Sequence, residues 1–232
     1  GVYKARDISA PGLGMGGIVP ALDYLTASNR KSLGDEVADF DSGLLNAEGR
    51  DVVVIGGGDT AMDCVRTAIR QKANSVTCLY RRDRVNMPGS QREVANAEEE
   101  GVDFRWLSAP QAFLGDNHVR AVQAKKIHLG QPDATGRQAP QIIEDSSHEI
   151  PANLVIKALG FDPEDIPTMF GAPELEVSKW GTIGVDWRTM MTNLPGVFAA
   201  GDIVRGASLV VWGVRDGRDA AESIHSYIMA QS

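Results

Sequence analysis

The sequence predicts an α/β fold built on a parallel sheet, and three features of its middle region indicate this. Residues 52–55 form an unbroken run of valine and isoleucine, typical of a strand buried on both faces of a parallel sheet. Three glycines follow at 56–58, and residues 59–72 have the apolar spacing of an amphipathic helix. A second apolar strand is expected at 75–80. Together these segments predict one β-α-β unit.

The segments that follow extend this sheet and add a second one. A helix is expected at 90–100 and a strand at 104–107. Shorter alternating segments at 119–129 and 141–143 are typical of antiparallel strands, so we expect a meander appended to the parallel sheet. Residues 154–159 are again continuously apolar and predict another buried strand.

The two ends of the chain are less regular. Residues 18–27 predict a short helix after a loop rich in proline and glycine. Residues 197–200 predict a strand that ends in a Gly-Asp pair. A helix is expected from about residue 207 or 208 onward.

Composition excludes several classes of function. The chain of 232 residues carries 23 basic and 31 acidic side chains, a net charge of −8, so neither nucleic acid nor a membrane surface is an expected partner. Its two cysteines, Cys64 and Cys78, are too few for a disulfide scaffold, a CxxC redox pair or a four-cysteine metal site within the chain. We expect both to be buried thiols in a reducing cytoplasm, and we predict no metal site.

The glycine turn has the spacing of a dinucleotide-binding fingerprint, and its position after a strand and before a helix predicts a Rossmann-like domain. Gly56 can form the tight turn, and Gly58 lets a pyrophosphate approach the backbone. The first turn of the helix offers unpaired N–H groups to the phosphates, and Ala61 permits close packing of helix on strand. A purely structural glycine turn is the alternative.

The end of the second strand indicates which cofactor binds. NAD sites place an acidic residue there, about 20 residues beyond the glycines, to bind the ribose hydroxyls. This chain instead carries Arg81 and Arg82. A guanidinium pair can chelate a 2′-phosphate, so NADPH is favoured over NADH. The alternative is a solvated basic cluster.

Three polar residues of the helix predicted at 59–72 complete the candidate site. Asp59 is most simply an N-cap, and Thr60 follows it in the first turn. Asp63 lies one turn further along and could face the nicotinamide end of the cofactor. A solvated surface charge is an equal alternative for Asp63.

A second nucleotide-binding feature is present only in part. The strand expected at 197–200 delivers Gly201 and Asp202 at its carboxyl end, and Ala207 and Ser208 stand at the predicted start of the next helix. An acidic acceptor suits a polyol hydroxyl, and a helix N-terminus suits a developing anion. A Gly-Asp pair alone is weak evidence. It becomes informative beside the upstream strand that leads to Ala158 and Gly160.

These motifs resemble flavoproteins with two dinucleotide-binding domains, which have the glutathione-reductase-like FAD/NAD(P) fold. More narrowly, the chain resembles the small (β) subunits of bacterial NADPH-dependent glutamate synthases over essentially its whole length. The motifs that carry this resemblance are the Gly-Gly-Gly-Asp-Thr-Ala-Met-Asp-Cys run at 56–64, Tyr-Arg-Arg at 80–82, Met-Pro-Gly-Ser at 87–90 and Gly-Asp-Ile-Val at 201–204.

The resemblance implies that the chain is a C-terminal fragment with three parts. Residues 1–49 would be an N-terminal remnant of the FAD domain, residues 50–160 the NADPH-binding domain, and residues 161–232 the C-terminal part of the FAD domain. The family's own strand–GxGxxG–helix unit for the ADP half of FAD does not precede Gly56. Stable binding of FAD by this chain alone is therefore not expected.

The resemblance also implies roles for individual residues and for partners. Asp202 would contact the flavin ribityl chain, and Ala207, Ser208 and Leu209 would lie against the isoalloxazine. Hydride would pass from NADPH to FAD, and electrons would continue through iron–sulfur clusters in a missing N-terminal segment. A large (α) subunit would then make glutamate from glutamine and 2-oxoglutarate.

Such a reaction needs no nucleophile–base pair, and no catalytic residue is predicted, because positioning and electrostatics are the protein's contribution. Two alternatives remain open. One is another NADPH–flavin reductase arm, of the ferredoxin-linked transhydrogenase or pyrimidine dehydrogenase type. The other is an NADPH-binding module that is inactive in isolation.

Overall fold

The computed structural model describes residues 1–132 and 138–231 and divides the chain into two compact units. The larger unit comprises Asp7–Gly160. The smaller unit comprises Gly1–Arg6 together with the chain from Phe161 onward.

Helices and strands alternate only in the first part of the larger unit, and the elements of both units are given together here. In chain order they are β1 (Lys4–Ala5), β2 (Ile18–Pro20), α1 (Ala21–Ser32), α2 (Ala38–Asp41), β3 (Asp51–Ile55), α3 (Asp59–Arg70), β4 (Ser75–Leu79), α4 (Gln91–Glu99), β5 (Asp103–Arg105), β6 (Ser108–Gly115), β7 (Val119–Pro132), β8 (Gln138–Ile142), β9 (His148–Pro151), β10 (Leu154–Lys157), β11 (Phe161–Asp162), α5 (Ile166–Met169), α6 (Asp202–Arg205) and α7 (Val210–Met229).

A five-stranded parallel sheet forms the centre of the larger unit. Its strand order is β2-β10-β3-β4-β5. In the middle of the sheet, Val53 lies in register with Val155 on one side and Thr77 on the other. Val53 is fully buried, as the unbroken apolar run predicted. The predicted α/β class with a parallel sheet and antiparallel strands is confirmed.

Alternate residues of β3 face two different layers because successive side chains of a strand point to opposite faces. Val52 and Val54 pack in a cluster with residues of α1, α3 and α4. Val53 and Ile55 pack in a second cluster with residues of the antiparallel strands, such as Phe113 and Val122. The parallel sheet is therefore covered by helices on one face and by the antiparallel sheet on the other.

The antiparallel sheet has four strands in the described residues. β7 is the long central strand and pairs with β6, β8 and β9. The predicted segments at 119–129 and 141–143 correspond to β7 and β8. The sequence patterns did not indicate β6 or β9.

One expectation about the first 49 residues was wrong. Residues 18–20 form a strand, β2, and the helix α1 begins only at Ala21. Residues 7–49 group with the larger unit. The physical reason is that β2 adds to the parallel sheet beside β10, while the Tyr24 hydroxyl donates a hydrogen bond of 2.9 Å to Gln71 at the end of α3.

The smaller unit holds the ribbon of β1 and β11 and the 20-residue helix α7. The strand expected at 197–200 is not formed there: within the described residues this segment pairs only through an isolated bridge between Phe198 and Met191. A strand needs a neighbour to satisfy its backbone groups, and no further strand lies beside this segment among the described residues. In the described part of the chain no helix is long and apolar enough to cross a membrane.

Candidate functional site

The turn between β3 and α3 is built around Gly56. Its φ of +147° lies in the region that favours glycine, and a Cβ at this position would stand 2.1 Å from the carbonyl oxygen of Ala158. The Gly56 amide donates to the carbonyl of Leu79 at 3.1 Å. The turn is therefore packed directly between the ends of β10 and β4.

The next two glycines face different surroundings. A Cβ on Gly57 would stand 2.4 Å from the ring of Tyr80. This close ring requires glycine at position 57, a requirement that was not predicted from the sequence. A Cβ on Gly58 would meet no described atom within 4 Å. Gly58 is the N-cap residue of α3, so the open space lies at the helix N-terminus, where backbone amides lack intrahelical acceptors. The open face of Gly58 suits the approach of an anion.

The first turn of α3 has a different cap from the one expected. Gly58 and not Asp59 is the N-cap residue, so the expectation for Asp59 was wrong. The Asp59 carboxylate instead accepts a hydrogen bond of 2.9 Å from the backbone amide of Ser90, at the start of α4. Thr60 is half-buried, and Ala61 is fully buried in the core between helix and sheet.

Asp63 is solvent-exposed and lies one turn beyond Asp59. The pKa of its carboxyl is raised above the ordinary value, chiefly because the surrounding protein reduces its hydration. The negative charges of Asp59 and Glu93 raise the pKa further, and the positive charge of Arg66 acts in the opposite direction. The carboxyl of Asp63 is therefore a weaker acid than a fully hydrated aspartate.

The arginines after β4 differ in their partners. Arg84 is paired with Glu98 at 2.8 Å. Arg81 is exposed, Arg82 is half-buried, and neither side chain forms an ion pair or hydrogen bond with any described residue. The Nη2 atom of Arg82 is buried without a hydrogen-bond partner. A buried guanidinium donor without an acceptor is unfavourable, so this pair fits a phosphate that would supply the acceptor oxygens.

The backbone of the segment that carries these arginines is held by hydrogen bonds from residues 107 and 108. The amide of Leu107 donates to the carbonyl of Arg82 at 3.0 Å, and the amide of Ser108 donates to that of Tyr80 at 3.0 Å. Because β4 lies next to β3, the arginines follow the strand beside the glycine turn. The candidate nucleotide-binding residues of the larger unit thus lie at the carboxyl ends of adjacent parallel strands.

Ala158 and Gly160 also belong to the larger unit. Ala158 is buried, and its carbonyl oxygen is the atom that excludes a side chain at Gly56. Gly160 has a φ of +84° and follows β10. The structure thus brings Ala158 to the glycine turn.

The candidate flavin residues lie in the smaller unit. Gly201 has a φ of +79°, and Asp202 begins the short helix α6, with a half-buried carboxylate that accepts no hydrogen bond from a described residue. Ala207 and Ser208, together with Leu209, are exposed and precede α7, which begins at Val210. The helix expected from about 207 or 208 begins slightly later, at Val210, because the N-cap residue Leu209 still has an extended backbone (φ −74°, ψ 144°).

An ion pair in this region was not predicted from the sequence. Arg205 of α6 binds Asp216 of α7 through two hydrogen bonds of 2.6 and 2.7 Å.

No group of three or more histidine, cysteine, aspartate or glutamate residues in the described part of the chain could hold a metal ion. Cys64 and Cys78 are both free and buried.

Comparison with known proteins places this architecture among nucleotide-dependent oxidoreductases. The small chain of glutamate synthase [NADPH] from Azospirillum brasilense is 69% identical over 232 residues, which cover 100% of this chain and 48% of that protein. The putative small chain of glutamate synthase [NADPH] from Cereibacter sphaeroides is 67% identical over 228 residues, 98% of this chain and 54% of the relative. The resemblance inferred from the motifs is confirmed, and the chain spans about half the length of these relatives.

A solved structure supports the fold independently of close sequence similarity. FprA from Mycobacterium tuberculosis in complex with NADPH superposes with a TM-score of 0.75 at 17% identity, over 99% of this chain and 62% of that one. Residues 4–218 match the family described as pyridine nucleotide-disulphide oxidoreductase. From its sequence, its sheet order and its glycine turn, the chain therefore belongs to the pyridine nucleotide-disulphide oxidoreductase family.

Proposed function

We propose that the larger unit binds NADPH. The observation that carries this proposal is the buried and unpartnered Nη2 atom of Arg82, next to the unpaired guanidinium of Arg81, just after the strand beside the glycine turn. NADH has no 2′-phosphate to satisfy these donors, whereas NADPH does. Two neighbouring guanidinium groups can surround a phosphate through several charge-assisted hydrogen bonds.

The other residues of the site have complementary roles in this proposal. The open face of Gly58 admits the pyrophosphate to the first turn of α3, and the amides of Asp59 and Thr60 lie in that turn. Ala61 keeps the helix close to the sheet. Asp63, one turn further along, would border the nicotinamide end.

We further propose that the whole protein is the electron-input subunit of a glutamate synthase. When bound, NADPH supplies a hydride and FAD accepts it, for the reductive synthesis of glutamate from glutamine and 2-oxoglutarate. Asp202 would hold a ribityl hydroxyl, and Ala207, Ser208 and Leu209 would lie against the isoalloxazine. The names of the two similar small chains support this role, and they imply a large-subunit partner.

Iron–sulfur clusters in an N-terminal segment of the whole protein, and a cytoplasmic location, complete the proposal. The clusters would carry electrons onward to the large subunit. The two buried cysteines of this chain are not suited to ligate them. Association with a large amidotransferase subunit would distinguish this role from that of a ferredoxin-linked transhydrogenase or pyrimidine dehydrogenase arm.

A second candidate is an NADPH-binding module that has no turnover by itself. The observation that favours it is the segment 197–200, which has the sequence of a strand but pairs only through one bridge within the described residues. The residues proposed to contact flavin follow this segment directly. A flavin site that depends on an unformed strand would not be complete in this chain alone.

A titration of the purified chain tests both candidates. NADPH, NADH and FAD are added separately, while nicotinamide fluorescence and flavin absorbance are measured. We expect NADPH to bind more tightly than NADH, and FAD to be lost on gel filtration. Equal affinity for NADPH and NADH would contradict the role of the arginine pair, and tight retention of FAD would contradict the inactive-module proposal.

A further inference from the structure

The loop between β4 and α4 (residues 83–90) is tied to the glycine turn at two points. The amide of Gly89 donates to the carbonyl of Gly57 at 2.9 Å. The amide of Ser90 donates to the Asp59 carboxylate at 2.9 Å. Gly89 is itself buried, and a Cβ there would stand 3.1 Å from the Gly57 oxygen, so this end of the loop lies directly on the turn.

Among residues 84–88, the middle of the same loop, only Met87 is buried, and the Arg84 side chain pairs with Glu98 of α4. Val85 is 90% exposed. Asn86 is bonded within the loop, to the Asp83 carboxylate, and its carbonyl accepts from the Tyr80 hydroxyl at 3.2 Å. The bond between Ser90 and Asp59, in contrast, joins the loop to a different element, the first turn of α3. It therefore anchors the C-terminal end of the loop.

We infer that Asp59 is a positioning residue of the nucleotide site, which acts on the glycine turn through the loop 83–90. Its carboxylate holds Ser90, and this keeps Gly89 in place to bond the Gly57 carbonyl. That bond fixes the orientation of the peptide between Gly57 and Gly58, and with it the Gly58 amide at the open end of α3. The inference rests on the proposed binding of NADPH.

The hydrogen bond between Ser90 and Asp59, referred to below as the tie, affects only one end of the cofactor. The backbone at Arg82 is anchored independently by the amide of Leu107. Loss of the tie would therefore disturb the turn that faces the pyrophosphate, and leave the backbone of the arginine pair in place. Because NADPH and NADH share the pyrophosphate, both should lose affinity by a similar factor.

The tie requires an acceptor oxygen at position 59 and not a negative charge. The side-chain oxygen of asparagine can accept the Ser90 amide in the same way. A carboxylate that contacted the cofactor directly would instead be impaired by both alanine and asparagine. The pair Asp59→Ala and Asp59→Asn thus separates positioning from direct contact.

The experiment compares these two variants with the wild-type chain and with Asp23→Ala. Asp23 is a matched control because it is an exposed aspartate in the first turn of α1 and forms no ion pair or side-chain hydrogen bond with a described residue. Dissociation constants for NADPH and NADH are measured by nicotinamide fluorescence. Limited trypsin digestion without cofactor, mapped by mass spectrometry, measures exposure of the loop at Arg84.

We expect Asp59→Ala to raise both dissociation constants roughly tenfold and to accelerate cleavage at Arg84. Asp59→Asn should restore both properties to within about twofold of wild type. Asp23→Ala should behave as wild type in both measurements. If Asp59→Ala does not melt cooperatively, Asp59→Asn decides: wild-type affinity and cleavage support the inference, and loss of either overturns it.

Three other results would overturn the inference. The first is an unchanged affinity in Asp59→Ala while the wild-type chain binds NADPH. The second is an equal loss in the alanine and asparagine variants with cleavage as in wild type. The third is a wild-type chain that binds neither cofactor, and this result alone also rejects the proposed function.

Discussion

Arg205 and Asp216 form a two-pronged ion pair, with Nε–Oδ2 at 2.6 Å and Nη2–Oδ1 at 2.7 Å. Asp216 is only 1% exposed, and the guanidinium of Arg205 lies within 5 Å of the ring centroids of Trp187 and Trp212. The hydrogen bonds from Arg205 are the main reason why the pKa of Asp216 is held below its ordinary value. This pair joins α6, which carries Asp202, to α7.

Replacing Asp216 should destabilise the smaller unit. Asp216→Ala leaves Arg205 without its partner, and we expect the melting temperature of that unit to fall by roughly 5 °C or more at pH 7. Asp219→Ala is the control, because Asp219 lies on the same helix with a half-exposed side chain, 3.7 Å from Arg215. Circular dichroism melts measure both variants. Similar melting temperatures for the two would contradict the assigned role.

The same pair should produce a loss of stability in acid. Because the native pKa of Asp216 is depressed, its contribution is present above the ordinary aspartate pKa and is lost as the pH falls through the native value. The difference in melting temperature between wild type and Asp216→Ala should therefore narrow below about pH 4. A difference that stays constant in acid would argue that packing and not charge is responsible.

The first and third glycines of the turn should respond differently to alanine. Gly56→Ala places a Cβ 2.1 Å from backbone and requires a φ that alanine rarely adopts, so we expect a severe loss of stability. Gly58→Ala has open space and a φ of −91°, so it should melt near wild type but weaken NADPH binding. Thermal melts and fluorescence titrations distinguish the two. Normal NADPH affinity in Gly58→Ala would show that the pyrophosphate does not approach there.

The arginine pair should control the choice between the two nicotinamide cofactors. Arg82→Ala is expected to weaken NADPH binding by about 1.5–3 kcal/mol, the contribution of one charge-assisted hydrogen bond, and to leave NADH almost unchanged. Arg84→Ala is the control, because the Arg84 guanidinium already forms a salt bridge with Glu98. Fluorescence titration with each cofactor measures the ratio. Equal losses for NADPH and NADH would reject the role of Arg82.

Alkaline pH should destabilise the core of the larger unit. Burial raises the pKa of the Cys78 thiol to about 12 and also raises that of Cys64. In the unfolded chain both thiols ionise near pH 8.5. The native state therefore holds these protons more tightly, and the free energy of unfolding should fall as the pH rises from about 8.5 towards 12. Urea unfolding should show a shallower fall in a variant with both cysteines replaced by alanine.

Hydrophobic periodicity was sufficient to predict the centre of the fold. The strands β3 and β4 and the helix α3 are long enough for their apolar pattern to determine both type and position. The three residues of β2 are too few for such a pattern, and their strand conformation depends on pairing with β10. The segment 197–200 shows the reverse case, because a strand-like sequence without a neighbouring strand forms only one bridge among the described residues.

The candidate site was predictable where its residues are close in sequence. The glycine spacing and the adjacent arginines can be recognised from sequence alone. The contact of Asp59 with Ser90 joins residues 31 positions apart, and it replaced the local cap that a helix-terminal aspartate normally forms. Tertiary packing of α4 on α3 decides which partner that carboxylate takes.

The two ends of the larger unit lie close together. Lys157, near its last residue, forms a salt bridge of 2.8 Å with Asp7, its first residue. A folding unit that starts and finishes at one place is a closed loop of chain, and it can be inserted into a host surface loop or cut out with a short splice. Residues 7–160 therefore have the chain ends of an insertable domain, which joins a host protein through two adjacent connections.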